Sequence, residues 1–170
     1  MTTEPPDEGI VSRLSERARE AALRTFERSV HVRHVDTGSG NGAEMEVETL
    51  TNPYYDMHRL GLFVTTSPRH ADLLLVTGAV TRQMEAPLRR AYEAMPEPKL
   101  VVAAGAAAID GGLYAESPWC LGGVEEVLPV DVYVPGSPPT PLSLLEGLLV
   151  AADKKAQTLR AADRAGGDDE

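Results

Sequence analysis

Two short, almost uninterrupted apolar runs constrain the fold more than any other feature of the sequence. The first, Ala71 to Gly78 (ADLLLVTG), follows a Ser-Pro turn, and the second, Lys99 to Ala104 (KLVVAA), lies between Pro98 and Gly105. Strands with one face in water alternate apolar and polar residues, whereas continuous apolar runs are typical of strands buried on both faces of a parallel sheet. Such a sheet needs helices on both sides. The sequence therefore predicts a three-layer α/β domain with a mainly parallel sheet.

Further strands and helices are predicted around these two runs. The segment Val30 to Val35 alternates with period two, which predicts a strand whose valine side faces the core. Proline and glycine steps mark the ends of the remaining elements. We predict two more strands at residues 60–66 and 127–134, and helices at residues 43–50, 83–95, 105–109 and 142–159.

The length of the chain, 170 residues, predicts a single domain with its own core, which we place at residues 30–159. Residues 1–8 and the acidic tail 160–170 have compositions that favour solvation, and we expect both to be disordered. Residues 9–29 predict an amphipathic helix with an arginine-rich face. This helix is either a solvated surface helix or a docking arm for a partner or a membrane surface.

The charge and the apolar content of the chain exclude some functions. Lys and Arg number 16 against 26 Asp and Glu, which gives a net charge of −10. A nucleic acid partner is not expected, because phosphates require a concentrated basic face. The first residues lack the basic and apolar regions of a secretory signal, and no apolar stretch reaches the roughly 18 residues of a membrane span. We expect a cytoplasmic protein, compatible with a peripheral position on the cytoplasmic face of a membrane.

Four loops follow predicted strands and are rich in small residues. They are Asp36 to Gly42, Thr77 to Val80, Gly105 to Ala108 and Pro135 to Pro139. The carboxyl ends of parallel strands meet at one edge of the sheet, where ligands of such folds bind. We therefore expect the four loops to converge on one site.

None of these loops contains a complete catalytic or metal-binding motif. The glycine-rich loop fits neither the dinucleotide-binding spacing nor the P-loop spacing. The acidic residues Asp36, Glu44, Glu46 and Glu48 suggest a hard cation, but glutamates at alternate helical positions do not share a face, which favours a solvated surface. The four histidines are too scattered to be metal ligands, and no serine lies in a G-x-S-x-G elbow. Neither a metal site nor a hydrolase is predicted.

The chain has a single cysteine, Cys120. One cysteine excludes an intramolecular disulfide, and it excludes a cysteine-ligated cluster or zinc site assembled from this chain alone. The neighbours of Cys120, Trp119 and Leu121, provide no base. We expect an inert, half-buried thiol.

Four segments of the chain, taken in order, resemble one protein family. They are HVDTGSGNGAEME (34–46), SPRHADLLLVTGAVT (67–81), PEPKLVVAAGAAAIDGGLY (96–114) and LPVDVYVPGSPPTP (128–141). They resemble the 20 kDa (B-type) subunit of respiratory complex I, and still more the small subunits of group 4 nickel–iron hydrogenases and formate hydrogenlyase. The similarity covers roughly residues 30–152. It implies a flavodoxin-like domain, in agreement with the α/β prediction made from the apolar runs.

In that family the subunit holds one four-iron four-sulfur cluster with four cysteine thiolates. Two belong to a C-N-G-C loop, one to a G-x-C-A loop and one to a P-G-C-P-P loop. The matching positions of this chain are Gly40, Ala43, Ala107 and Ser137. Such a cluster requires soft thiolate donors, which glycine and alanine lack and which a serine hydroxyl does not replace. We expect a divergent family member with no cluster, no other cofactor and no metal.

Two functions are compatible with this departure from the family. The first is a non-catalytic scaffold subunit, packed against a large-subunit homologue of the complex I or hydrogenase type and peripheral to a membrane arm. The second is a stand-alone small-molecule-binding module or small enzyme that reuses the vacated cavity, with Arg69, His70 and Ser137 as polar groups that could orient a ligand. A third alternative keeps a redox function, with Cys120 as a redox-active thiol or as a ligand shared with a partner chain, although one thiolate cannot replace four.

Overall fold

The computed structural model describes the backbone of residues 29–166 and the side chains of residues 29–159. The predicted disordered segment 1–8 lies outside the described residues, as does the predicted amphipathic helix 9–29 apart from Ser29. Residues 167–170 of the predicted acidic tail also lie outside them.

Five parallel strands form the central sheet. In chain order the strands of the described residues are β1 (Val30–Asp36), β2 (Leu62–Val64), β3 (Leu73–Thr77), β4 (Val80–Thr81), β5 (Leu100–Ala104), β6 (Cys120–Gly122) and β7 (Val132–Val134). The sheet has the order β2-β1-β3-β5-β7 with every neighbouring pair parallel, and β4 and β6 form a separate antiparallel pair. Counted among the sheet strands alone, this is the order 2-1-3-4-5 of flavodoxin-like folds. The predicted fold class is confirmed.

Helices cover both faces of this sheet. They are α1 (Gly42–Thr49), α2 (Glu85–Glu93), α3 (Ala106–Asp110) and α4 (Pro141–Gly166), with short 3₁₀ turns at Met57–Leu60, Pro68–His70, Gly112–Tyr114 and Val124–Glu126. One hydrophobic cluster joins α1 and α4 to one face of the sheet and includes Val47, Leu73, Leu75, Val102 and Leu148. A second cluster joins α2 and α3 to the other face and includes Leu74, Val76, Leu88, Val101 and Ala108.

The strands β3 and β5 are buried at every position, as their apolar runs predict. Alternate side chains of each strand enter opposite clusters, so both faces of the sheet are packed. Burial of one valine or leucine side chain stabilises a fold by about 1.5–3 kcal/mol relative to its exposure. These two strands therefore anchor the domain.

The structure corrects the prediction for β1. Val30 and Val32 pack in the cluster with α1 and α4, whereas Val35 packs in the opposite cluster. Positions 32 and 35 differ by an odd number of residues, so their side chains point to opposite faces of a strand. The valines of β1 thus support both layers instead of one.

Two strands are shorter than the sequence predicts. β7 is confined to Val132–Val134, because Pro129 lacks the N–H that a ladder requires and the chain before it forms the 3₁₀ turn Val124–Glu126. β2 begins at Leu62, because Gly61 adopts a left-handed φ of 78° directly after the turn Met57–Leu60.

The last helix, α4, starts at Pro141, in agreement with the prediction that this proline lies in its first turn. It continues to Gly166, beyond the predicted end at residue 159. The prediction of disorder from residue 160 is therefore wrong for residues 160–166, whose alanines and arginines favour a helix. Among residues 29–166, no helix combines the length and the apolar character that a bilayer crossing requires.

A buried ion pair fastens α4 to the start of β3. Lys155 on α4 is only 4% exposed, and its Nζ lies 2.7 Å from Oδ1 of Asp72. The backbone N–H of His31 donates to Oδ2 of the same carboxylate at 2.8 Å. Burial by itself would raise the pKa of Asp72, but the hydrogen bonds from Lys155 and His31 outweigh it and hold the pKa below its usual value. The pair therefore ties α4, β3 and β1 together at one point.

We expect Asp72→Ala to destabilise the domain by about 3 kcal/mol, because it leaves the Lys155 ammonium buried without its carboxylate. The free energy of unfolding in urea at pH 7 measures this loss. The control is Lys154→Ala, which removes an exposed pair in which Nζ lies 2.9 Å from Oδ1 of Asp131. It should cost less than about 1 kcal/mol. Equal losses in the two variants would contradict the assignment, and Asp72→Ala/Lys155→Met should recover much of the loss.

Candidate functional site

The carboxyl ends of four sheet strands open onto one cavity of about 230 Å³. Its walls come from the loops after β1, β3, β5 and β7, which confirms the predicted convergence. The lining residues are Ser39, Gly40, Gly42, Ala43, Gly78, Ala104, Gly105, Ala106, Ala107, Leu113, Tyr114, Gly136, Ser137, Pro138 and Pro139. In flavodoxin-like sheets, ligands bind at this edge, next to the point where the strand order reverses.

All four positions that the resemblance matches to cluster ligands lie in the wall of this cavity. Gly40 and Ala43 come from the loop after β1 and the first turn of α1, Ala107 from α3, and Ser137 from the loop after β7. The fold therefore brings together residues that are up to 97 positions apart in the sequence. None of these four residues carries a thiol group.

Two glycines allow the loops to approach one another closely. Gly78 has a φ of 78°, and a Cβ there would lie 2.4 Å from the backbone nitrogen of Ser39. Gly136 has a φ of 146°, and a Cβ there would lie 2.3 Å from Cα of Pro139. Such contacts exclude any side chain, and positive φ values also favour glycine. The shape of the cavity thus depends on backbone packing at these two positions.

Gly40 differs from these two glycines. A Cβ placed on Gly40 would have no atom within 4 Å, and its φ is not positive. The backbone therefore does not require glycine at this position. A larger side chain at position 40 would extend into open space at the cavity.

The loop after β1 is held by the carboxylate of Asp36. Its Oδ1 accepts the backbone N–H groups of Gly38 and Ser39 at 2.9 and 2.8 Å. An aspartate that binds backbone amides two and three residues ahead stabilises a tight turn. The side chain of Thr37 adds hydrogen bonds to the carbonyls of Thr77 and Gly78, both at 2.9 Å. The first loop is thus fixed to the end of β3.

A part-buried polar network lies beside the cavity. The carboxylate of Glu44, on α1, accepts hydrogen bonds from the hydroxyls of Ser39 and Thr77. Nε2 of His34 lies 2.9 Å from the Thr77 hydroxyl and 4.0 Å from Glu44. Because the Thr77 hydroxyl gives its single hydrogen to Glu44, Nε2 of His34 is the donor in their bond. The network joins β1, β3 and α1, and Ser39 connects it to the cavity wall.

The pKa of the histidine in this network is lowered from its usual value. Burial lowers the pKa of His34, because the imidazolium form loses water around its charge, and the Arg33 guanidinium acts in the same direction. The carboxylates of Glu44 and Asp36 oppose this effect and raise the pKa, but burial is the larger influence.

The donor set of the cavity does not fit an iron–sulfur cluster. Glycine and alanine provide no ligand atom, and the Ser137 hydroxyl is a hard donor that iron in such clusters does not favour. Cys120 lies on β6, where it pairs with Thr81 of β4, and it is not part of the cavity wall. Within residues 29–166, no group of three His, Cys, Asp or Glu side chains is arranged to hold a metal ion.

The structure does not bring Arg69 and His70 to the cavity. Both belong to the 3₁₀ turn Pro68–His70, which precedes β3, and neither lines the cavity. Residues before a parallel strand lie at the amino edge of the sheet, opposite to the site. The expectation that these side chains orient a ligand in the cavity is therefore wrong, and Ser137 is the one member of the predicted polar set that lies in its wall.

The sequence reasoning missed the contact between Glu44, Thr77 and His34. It treated Glu44 as part of a solvated acidic surface, whereas its side chain is only 15% exposed. In the structure, Thr77 pairs in register with Asp36 at the ends of β3 and β1, two residues from His34, and this register is not visible in the sequence. Polar residues at those positions mark the same sheet edge as the loops.

A family model described as NADH ubiquinone oxidoreductase, 20 Kd subunit, matches residues 40–151. The chain is 41% identical over 155 residues to formate hydrogenlyase subunit 7 of Escherichia coli, over 91% of this chain and 59% of that protein. It is 43% identical over 133 residues to the probable membrane-bound hydrogenase subunit mbhJ of Pyrococcus furiosus, over 78% of this chain and 80% of that protein. The chain thus spans less than two thirds of the first of these relatives.

Solved structures give the same result at the level of the fold. A chain of the membrane-bound sulfane sulfur reductase, an archaeal respiratory membrane complex, superposes with a TM-score of 0.65 at 28% identity. The match covers 81% of this chain and 76% of that one.

We expect the purified protein to contain no stoichiometric iron, and we expect cysteines at four positions to restore a cluster site. The variant is Gly40→Cys/Ala43→Cys/Ala107→Cys/Ser137→Cys. Position 40 has open space, and the other three positions already carry a Cβ in the cavity wall. After anaerobic reconstitution, this variant should bind about four iron and four sulfide ions per chain.

The control for this experiment is the triple variant that keeps Gly40. It lacks one thiolate and should bind iron more weakly and less uniformly. Iron and acid-labile sulfide are measured together with the visible absorption spectrum. Stoichiometric iron in the unmodified protein, or a folded quadruple variant without a cluster, would show that the four positions are wrongly assigned.

We expect Glu44→Gln to lower the pKa of His34 further, because it removes a carboxylate that favours the imidazolium form. An NMR titration of the imidazole ring resonances measures the change, with His34→Gln used to assign the signal. Glu48→Gln, on the exposed side of α1, is the matched control and should leave the titration unchanged. A rise in the pKa of His34 would refute the proposed proximity.

Proposed function

Because this chain belongs to the family of the 20 kDa subunit of NADH ubiquinone oxidoreductase, we propose that it is a non-catalytic scaffold subunit of a complex I-like or group 4 hydrogenase-like membrane assembly. It carries no iron–sulfur cluster and no other cofactor. Any oxidoreductase activity belongs to the partner subunits. The chain is cytoplasmic and lies on the periphery of the membrane arm.

One observation carries the cluster-free part of this proposal. The cavity wall includes Gly40, Ala43, Ala107 and Ser137, the four positions that the resemblance matches to the family's thiolates. Electron transfer through this subunit needs a redox centre, and none of these four side chains can ligate one. The relay function therefore has no chemical basis in these residues, whereas the folded scaffold does not depend on them.

The relatives support the assembly part of the proposal. One is a subunit of formate hydrogenlyase, one is a probable subunit of a membrane-bound hydrogenase, and one is a chain of an archaeal respiratory membrane complex. Each is one subunit among several. We infer that this chain packs against a large-subunit homologue in the same way.

Affinity purification from detergent-solubilised membranes tests this proposal. The full chain is tagged at its C-terminus and expressed at its natural level in its own cells. We expect a large-subunit homologue and antiporter-like membrane subunits to co-purify in near-stoichiometric amounts. A tagged protein that is monomeric in the soluble fraction, with none of these subunits, would contradict the proposal.

The cavity favours one second candidate, a small-molecule-binding module or small enzyme. Its volume of about 230 Å³ lies just below the range of about 300–1,000 Å³ for drug-sized ligands and is sufficient for a smaller molecule. Thermal unfolding in the presence of a panel of flavins, quinones and nucleotides separates the two candidates. A rise in melting temperature of several degrees with one compound would favour the binding module, and a flat response favours the scaffold.

A further inference from the structure

We propose that residues 10–27, which lie outside the described residues, form a helix that packs on a strip of the sheet that the described helices leave open. The strip consists of the side chains of His31 and Arg33 on β1 and Phe63 on β2, called the open strip below. The proposed contact lies within one chain, so it goes beyond the proposed function and needs no partner subunit.

The open strip lies on the same side of the sheet as α2 and α3. Val32 packs in the cluster with α1 and α4, so its neighbours His31 and Arg33 point to the opposite side. Phe63 pairs in register with His31 and shares that side. Among the described residues, the cluster with α2 and α3 contains Val35 of β1 and no residue of β2. The helices on this side therefore cover β3 and β5 but leave the open strip without a covering helix.

The connection between β2 and β3 explains this gap. β2 and β3 are parallel strands on either side of β1, and residues 65–72 join them. A connection between parallel strands usually has about a dozen residues or more and contains a helix. Residues 65–72 contain only the 3₁₀ turn Pro68–His70. One helix is therefore missing from the layer at this position.

The side chains of the open strip are incompletely packed and incompletely paired. Phe63 is 36% exposed and the side chain of His31 is 43% exposed. The ring of Phe63 contacts the rings of His31 and His58, with centroid distances of 6.0 and 5.2 Å. Nε of Arg33 is buried and has no hydrogen-bond partner among the described residues. Because buried donors in native proteins are generally paired, the strip lacks both an apolar cover and an acceptor.

The segment that precedes β1 is attached next to the open strip and is long enough to cover it. It joins the described residues at Ser29, directly before Val30. An α-helix of residues 10–27 would be about 27 Å long, and the seven residues of β1 span about 23 Å. Arg28 and Ser29 remain as the link, and links of about two to six residues are common between helices and strands of α/β folds.

The sequence of this segment has the apolar stripe that the position requires. Its apolar residues recur at helical spacing: Ile10, Leu14, Ala18, Ala21, Ala22 and Phe26. On such a helix, Arg13, Arg17 and Arg24 lie on the side away from the stripe and stay in water. The open strip thus gives the segment a place on its own domain, in preference to a solvated position or a docking arm.

The direction of the chain predicts which residues meet. A helix that leads into β1 ends at the amino end of that strand, and Phe26 lies near this end of the stripe. Phe63 pairs with the second residue of β1, also at the amino end. The rings of Phe26 and Phe63 are therefore the expected contact, and pairs of aromatic rings are favourable beyond the area that they bury.

Fluorine NMR tests this contact directly, because Phe26 and Phe63 are the two phenylalanines of the sequence. The full chain is labelled with 4-fluorophenylalanine, so each ring gives one ¹⁹F signal. We expect a nuclear Overhauser effect between the two fluorines, and we expect a soluble gadolinium chelate to broaden both signals only weakly. Phe26→Leu assigns the signals and should move the Phe63 signal by more than its line width, because the neighbouring ring is removed.

The matched control is Leu23→Ala. Position 23 lies nine residues, or two and a half helical turns, from Leu14 and therefore on the side of the helix away from the stripe. This variant should leave the Phe63 signal within its line width. If Phe26→Leu also leaves it there, and the chelate broadens both signals strongly, the segment does not cover the open strip and the inference is wrong.

Two further outcomes would overturn the inference in favour of another occupant. Protection of the Phe26 signal from the chelate only after addition of phosphatidylglycerol vesicles would identify the segment as a membrane-binding arm. An Overhauser effect that disappears on dilution would place the contact between two copies of the chain. Neither outcome bears on the scaffold function, which co-purification of partner subunits tests separately.

Discussion

The burial of β3 and β5 on both faces is the constraint on which the rest of the structure depends. Each residue of these strands is enclosed, and the strands pair in parallel with Leu73 opposite Leu100. A parallel pair requires a crossover through a helix, and crossovers of this kind return every strand end to the same edge. The four loops therefore meet because the sheet is parallel and buried. The convergence of the loops does not require a bound ligand or metal.

The same reasoning explains why the shape of the cavity does not depend on the side chains at the four positions that the resemblance matches to cluster ligands. The cavity walls are set by the turn at Asp36 and by the close backbone contacts at Gly78 and Gly136. None of these interactions uses a side chain at position 40, 43, 107 or 137. The small side chains at those positions are therefore not needed to hold the loops in place. Because the cavity is open, water can occupy the space, and the loss of dispersion contacts is smaller than in a sealed void.

The sequence predicts the sheet and the convergence of the loops because both follow from apolar runs and strand direction. The prediction for β1 placed all its valines on one face, although Val35 lies an odd number of positions from Val32 and therefore on the opposite face. The sequence could have shown that Arg69 and His70 do not belong to the cavity. They precede β3, and residues that precede a parallel strand lie at the edge of the sheet opposite to the loops. The contact of Glu44 with Thr77 could not have been predicted from the sequence. It depends on how α1 is rotated against the sheet, and the weak amphipathic pattern of an eight-residue helix does not define that rotation.

The rotation of α1 matters because this helix and the loop before it carry two of the four cavity positions. A part-buried carboxylate is a poor source of net stability, since apolar residues of similar shape often serve as well. Its value here is geometric: Glu44 accepts hydrogen bonds from Ser39 in the loop and Thr77 on β3, and each bond has a required direction. In a protein with a cluster, four thiolates would fix the loops to one another through the metal. Here the Glu44 network holds the loop after β1 to α1 and to the end of β3, and the Asp72–Lys155 pair ties α4 to the start of the same strand, so hydrogen bonds and ion pairs fix both ends of β3.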